Sequence, residues 1–437
     1  MAFSLKIASY KLSHSTILGI CFLFLNCVAG FANAQNEKSQ SPSNELPQQE
    51  STTTDVNYYV WLALDSHPAL QRSLAEIQST HSQAYQAGLL PNPSLGIFAD
   101  EVGNDDDPGL WGIYLQRKII RSNRLQLGRS VKQHQASVQE AELESLALKI
   151  ETDVRTAYVS ILLANQKVEL ASQIATSLTK ATEQVQFLVS QGESPKTDLY
   201  QMNLQMQTAK LRVREAQVEL RNAWRKLTAV CNQSSLDRHP TSGKLDQAVE
   251  EIEFEDCLAR IVQMSPEVSA AELSVERACI EVQRQTALGI PDYQSQIRAG
   301  KDSTTEHFFV GAQLQMPLMR FDRNQGNIAA SRYQLQAARE NLKDIKLSIR
   351  NRLADRFRRY ELAKVQTESY QQNLIPQAQN NLDLLTKGYP EEVGFLQILG
   401  AQQAVVELTF QYLDSLRELW VNRIQMDGFL LAEVYDE

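Results

Sequence analysis

Apolar residues recur every three or four positions along two very long stretches of this chain and alternate every second position in four short ones. From Leu125 to Gln191, the residues Leu143, Leu146, Ile150, Val154, Ala157, Ile161 and Val168 form one stripe, while Gln, Glu, Lys and Arg fill the other faces. Proline is absent there and Gly128 is the one glycine, so the spacing predicts a helix of about 100 Å at 1.5 Å per residue. No ordinary globular core needs such a length. Gly192-Glu-Ser-Pro195 then turns the chain, and a second helix returns to Val230. Ahead of this hairpin the pattern predicts short helices from Tyr58 to Ser66 and on to Ala87. They are separated at His67-Pro68 because a proline disfavours helix in the residue before it. After Gly88, Pro91-Asn-Pro93 makes the chain extended, and Ser94 to Asp100 and Leu110 to Ile119 read as a β-hairpin. In its second strand Trp111, Ile113 and Leu115 alternate with Gly112, Tyr114 and Gln116.

The whole plan occurs twice. Gly311-Ala-Gln-Leu-Gln-Met-Pro-Leu-Met-Arg320 echoes Gly112-Ile-Tyr-Leu-Gln-Arg-Lys-Ile-Ile-Arg121 at an offset of 199 residues. Ser265-Pro266 matches His67-Pro68, Gly289-Ile-Pro291 matches Gly88-Leu-Leu-Pro91, and Asp292 to Ala299 with His307 to Met316 forms a second hairpin. The second long helix is expected to start near Gln325, run unbroken and reproduce the first in register. Leu342, Ile345, Leu347 and Ile349 correspond to Leu143, Leu146, Leu148 and Ile150, and Phe357 to Tyr158. It should turn at Gly388 to Gly394 and return from Phe395 to about Glu433. The span from Gly112 to Gly192 is 80 residues, as is that from Gly311 to Glu391. The organisation is therefore a first repeat at 56–232, an equatorial linker at 233–252 and a second repeat at 253–437.

Composition narrows the setting. With 43% hydrophobic and 22% charged residues and a net charge of -9, nothing favours binding to nucleic acid. Lys6 and Lys11, the apolar run from Ile17 to Ala29 and Ala32-Asn-Ala34 read as a secretory signal over 1–34, and the polar residues 35–55 are expected to be a disordered lead-in. Five cysteines occur. Cys21 and Cys27 lie in the signal, and Cys231, Cys257 and Cys279 are too widely spaced for a disulfide framework, although a Cys231–Cys257 bridge is open. After residue 34 no apolar run is long enough for a transmembrane helix.

Strands of this length, with one apolar face, suit a tilted transmembrane β-strand. Four of them cannot close a barrel, and an open edge is not tolerated in lipid, so other copies of the chain must complete it. Three alternatives share parts of the pattern: a hairpin packed on a soluble core, a periplasmic coiled-coil adaptor, and a secreted structural protein without a pore. An adaptor has one helical hairpin followed by β-domains, whereas this chain has two, each preceded by paired strands.

Several segments resemble the TolC-like outer-membrane factors of tripartite efflux systems. Pro317-Leu-Met-Arg-Phe-Asp-Arg-Asn-Gln-Gly326 is similar to that family's entry into its second long helix, in the branch of the CzcC-like heavy-metal efflux channels. Gly88-Leu-Leu-Pro-Asn-Pro93 resembles its segment before the first strand. Gly192-Glu-Ser-Pro-Lys-Thr-Asp198 and Val393-Gly-Phe-Leu-Gln397 resemble its two hairpin tips. The resemblance spans residues 56–435 and implies a mainly α chain with a small β part: a homotrimer with a 12-stranded outer-membrane β-barrel, four strands per chain, continuous with a long periplasmic α-helical barrel. It also implies a periplasmic adaptor, an inner-membrane RND-type pump and outer-membrane lipid as partners. The sequence departs from the family at Glu391, where glycine is usual, at Gly400, often aspartate, and at Arg121-Ser-Asn-Arg124.

Candidate sites follow from this plan. Gly192, Glu193, Asp198, Glu391, Glu392 and Gln397 would form the periplasmic gate and adaptor contact, where converging acids act on cations. Glycine and proline at a turn would explain Gly192 and Pro195 without any such role. Pro317, Asp322, Arg323, Asn324 and Gly326 would form the joint between barrel and helix. The acidic run Glu101 to Asp107 lacks the regular ligand spacing of a calcium loop and reads as a solvated external loop. His67, His81, His134, His239 and His307 lie in five different elements, which argues against a metal cluster. No motif points to an enzyme or a cofactor.

Overall fold

A computed structural model describes residues 55–103, 109–233, 245, 252–303, 305–387 and 395–430. The elements in order are α1 (Val56–Ser66), α2 (Pro68–Ala87), β1 (Ser94–Asp100), β2 (Leu110–Ile119), α3 (Arg124–Gln191) and α4 (Lys196–Val230). The repeat follows as α5 (Phe254–Met264), α6 (Pro266–Leu288), β3 (Tyr293–Asp302), β4 (Phe308–Gln315), α7 (Gln325–Ser369), a π turn (Tyr370–Leu374), α8 (Ile375–Lys387) and α9 (Phe395–Asp427). Both repeats begin with a short helix that ends two residues before a proline, and the residue between stands at the N-cap position of the next helix. In the first repeat the His67 ring nitrogen Nδ1 accepts from the Ala69 amide at 3.3 Å, which satisfies an amide the helix itself leaves free.

The second long helix is not continuous. Residues Tyr370–Leu374 form a π turn immediately ahead of Pro376, whose ring removes an amide and crowds the carbonyl four residues back. A π turn inserts one residue into the register, and the burial pattern records the slip. Above it the repeats agree, with Ile150 and Ile349 both fully buried and Tyr158 and Phe357 both buried. Below it they do not, since Val185 is 6% exposed while its counterpart Leu384 is 70% exposed. Leu385 takes the half-buried place instead. The return helix α9 also ends earlier than the expected Glu433: the chain leaves it at Asp427, and Phe429 and Leu430 both adopt left-handed backbone (φ 61° and 59°).

The main core lies where the short helices meet the middle of the long ones. Tyr59 of α1 packs between Tyr158 of α3 and Trp224 of α4, and Phe254 of α5 meets Phe357 of α7 edge-on. Ile150, Ile161, Leu163, Leu227, Ile261, Ile349, Leu353 and Met426 fill the space between them. Leu245, between α4 and α5, joins this core, and its carbonyl accepts a hydrogen bond from the Trp420 indole. Cys231 and Cys257 are buried free thiols rather than a bridge.

Strands β1 to β4 form one antiparallel sheet in chain order, with β2 and β3 adjacent although the four helices α3 to α6 separate them in sequence. Strand β3 starts one residue later than expected and runs to Asp302, which leaves Asp292 just before it. The outer strands β1 and β4 have one unpaired edge each within this chain. One face carries Leu95, Ile97, Trp111, Ile113, Leu115, Ile297, Phe308, Val310 and Leu314, all well exposed. That is too large an apolar surface for water.

Candidate functional site

At the tip between α3 and α4, Gly192 adopts left-handed backbone (φ 82°) and closes α3 with two bonds: its own amide to the Val189 carbonyl and the Glu193 amide to the Leu188 carbonyl. This is a Schellman closure, and it accounts for the glycine. Pro195 then precedes α4, with Asp198 in the first turn, where a carboxylate complements the helix dipole. Ser194 Oγ donates to Asp198 Oδ2 at 3.0 Å and Thr197 Oγ1 to Oδ1 at 3.4 Å, so the carboxylate is held within its own turn. Glu193 is exposed beside it.

The other tip lies close by. Leu399 of α9 is buried with Val185 of α3 and Met202 of α4, and this small cluster is what brings the two hairpin ends together. Gln397 is exposed two residues before it. Glu391 and Glu392 lie outside the described residues, as do His239 and residues 104–107 of the acidic run.

The candidate joint between β4 and α7 is held by local hydrogen bonds. Asn324 sits in left-handed backbone (φ 61°), and its amide bonds to Asp322 Oδ1 at 2.8 Å. Its side-chain amide donates to the Gln285 carbonyl at 2.7 Å, tying the start of α7 to the end of α6. Asparagine tolerates this backbone and supplies the donor at once. Arg323 Nε caps the Met319 carbonyl at 3.1 Å, and its backbone carbonyl lies 2.9 Å from where a Cβ on Gly289 would stand. Pro317 and Gly326 are exposed, and nothing approaches Gly326. Asp322, Arg323 and Asn324 therefore share one hydrogen-bonded turn ahead of α7, whereas Pro317 and Gly326 are exposed.

Sequence reasoning missed the residue that secures the other joint. Asp292, 8% exposed, forms ion pairs with Arg124 at the start of α3 and with Lys118 at 3.4 Å, and it accepts from the Arg121 amide at 3.5 Å. Arg121 lies over the Tyr293 ring at 4.8 Å. The reading that ran the strand from Asp292 hid it, although an acid between Pro291 and an alternating run, with Arg121-Ser-Asn-Arg124 in the other repeat, was the available signal. Also missed was Lys167, which donates from α3 to Glu219 of α4 at 3.1 Å and pairs with Asp414 of α9 at 2.7 Å.

Among the described residues no three His, Cys, Asp or Glu side chains converge as a metal site. His81 faces Glu140 at 3.3 Å and His134 faces Glu276 at 3.9 Å, two separate pairs in the helical wall. Among the described residues no helix is long and apolar enough to cross a membrane. The exposed apolar face of the sheet has the side-chain pattern of a lipid-facing strand surface.

A doubled strand-hairpin and long-helix-hairpin chain, with an open apolar sheet, has the fold of the TolC-like outer-membrane factors, which are outer-membrane channels with periplasmic helical tunnels. No protein-family model matches the sequence. Among curated proteins it is similar to the cobalt-zinc-cadmium resistance protein CzcC of Cupriavidus metallidurans, 23% identical over 418 residues that cover 94% of this chain and 98% of that protein. Among solved structures, the Neisseria gonorrhoeae MtrE outer membrane channel in its open state matches with a TM-score of 0.68 at 15% identity, covering 92% of this chain and 97% of that one. A membrane protein from Pseudomonas aeruginosa matches with a TM-score of 0.72 at 15% identity, over 91% and 99% of the two chains.

Proposed function

We infer that the chain is the exit duct of a tripartite efflux system, carrying cargo passively across the outer membrane. The observation that carries this reading is the four-stranded sheet, apolar on one face and unpaired at both edges, continuous with helices about 100 Å long. Three copies with four strands each would close a twelve-stranded barrel, within the range of outer-membrane barrels, and leave no edge in lipid. The long helices then line a periplasmic tunnel. Its lower end, with Gly192, Glu193, Asp198, Glu391, Glu392 and Gln397, meets the periplasmic adaptor, and an RND-type pump in the inner membrane supplies the cargo. Asp198 contributes a ring of three carboxylates there.

The likeness to a cobalt-zinc-cadmium resistance protein supports transition-metal cations as that cargo. Substrate selection falls to the pump, because a water-filled duct discriminates mainly by width and charge. Outer-membrane fractionation with a heat-sensitive trimer band on gel electrophoresis tests the duct, and a periplasmic monomer would refute it. Restored growth of a deletion strain on cobalt, zinc or cadmium tests the cargo, and unchanged sensitivity would remove it.

A further inference from the structure

The sheet face opposite the lipid-facing one has an unusual lining. Across the four strands, one row in register reads Gly96, Tyr114, Arg298, Gly311, and the next reads Phe98, Gly112, Gly300, Phe309. Large side chains and glycines thus exchange places between neighbouring rows. In the first row the bulk sits on the two central strands, and in the second on the two edges.

The large side chains lie down on the glycines. A Cβ on Gly96 would stand 2.5 Å from the Tyr114 phenol, and one on Gly311 would stand 3.0 Å from the Arg298 guanidinium nitrogen Nε. In the second row a Cβ on Gly112 would stand 2.7 Å from the Phe98 ring and one on Gly300 would stand 3.0 Å from the Phe309 ring, and the centres of the two rings are 6.0 Å apart. Arg298 is further held by Asp100 at 3.7 Å and lies 5.9 Å from the centre of the Phe98 ring. Glycine beneath a cross-strand aromatic is what allows a ring to fold flat on a sheet rather than stand off it.

We propose that Gly96 and Gly311 keep the outer-membrane part of the duct wide by giving the Tyr114 and Arg298 side chains a place to lie flat against its wall. The inference rests on the duct reading, because only barrel closure turns this face into a lumen. In a trimer each position occurs three times around one cross-section. Three phenols or guanidiniums lifted together would narrow the pore and, for Arg298, place unpaired positive charge in the path of a cation.

Single-channel currents of purified trimers in planar bilayers test it. Gly96→Ala should lower conductance by an amount on the order of tens of per cent, because its Cβ displaces the Tyr114 ring toward the lumen. Adding Tyr114→Ala should restore it. Tyr114→Ala alone should change conductance little, since the ring already lies flat. Wild-type conductance in Gly96→Ala, a loss that persists in the double variant, or a large gain from Tyr114→Ala alone would each overturn the proposal. Should Gly96→Ala fail to form trimers, Gly311→Ala with and without Arg298→Ala asks the same question where only a flexible side chain must move. A wild-type protein that forms no pore at all would instead refute the duct reading.

Discussion

Lys167 offers a test whose two arms should differ in size. Its side chain is 10% exposed, while those of its partners Glu219 and Asp414 are 45% and 60% exposed. The ammonium is therefore the costly member of the cluster, and the carboxylates remain partly in water. Lys167→Met removes the buried charge, keeps the packing of the stem and leaves two acids that water can solvate. Its expected cost is about 0–1 kcal/mol, the worth of a partly exposed pair. Glu219→Gln with Asp414→Asn leaves the ammonium buried without a counter-charge. A fully buried orphan charge costs about 3–5 kcal/mol, and discounting for the residual exposure and the two neutral acceptors leaves about 2 kcal/mol. Because the cluster joins α3, α4 and α9, the effect should appear as local opening of α9. Amide exchange near residue 414, followed by mass spectrometry on detergent-solubilised protein, should quicken about 30-fold in the double variant. It should change no more than about fivefold in Lys167→Met. Equal or greater loss in Lys167→Met would refute the assignment of cost to the ammonium.

Four further outcomes are expected. Asp198→Ala, alone or with Glu391→Ala, should alter conductance or weaken block by multivalent cations, and unchanged currents would remove the acids from the gate. Burial pushes the Cys231 thiol from 9.0 up to about 11, so alkylation of native protein at neutral pH should mark the exposed Cys279 and spare Cys231. Because the raised value belongs to the folded state, the protonated thiol's contribution is complete below about pH 9 and is lost as pH rises toward about 11, measurable as alkaline loss of thermal stability. Burial lowers the pKa of His67, so the neutral ring's contribution is present above 6.5 and lost as pH falls through the folded value. His67→Asn, which can keep the cap, should reduce the acid-side fall in melting temperature.

Most of the fold was legible because its elements are extreme. A stripe sustained from Leu143 to Val168 and strict alternation through Trp111, Ile113 and Leu115 leave little room for a competing structure, and the observed bounds of β1, β2 and α4 agree with the expected ones. The break at Tyr370–Leu374 was missed because the repeat suggested continuity while Pro376 argued against it, and the local steric rule prevailed. Tip residues Gly192 and Asp198 were recognisable, but their turn chemistry through Ser194 and Thr197 emerges only from geometry. Asp292 and Lys167 stayed hidden for a common reason: a charged residue in a polar stretch carries no sign of burial, and its partners lie far away in sequence.

The one-residue slip at the π turn has a consequence for assembly at the lower end of the duct. By the sequence repeat the two long helices of a subunit look equivalent, and a ring of six like helices would invite six like contacts. The slip turns everything after Leu374 by about 100° relative to its counterpart in α3, so Leu384 faces out where Val185 faces in. In a trimeric duct the ring would therefore alternate between two kinds of hairpin and repeat three times rather than six. A partner docking on such a ring would have to bring three copies or present two different faces in turn, so a single misplaced turn of helix would bear on the stoichiometry of the complex.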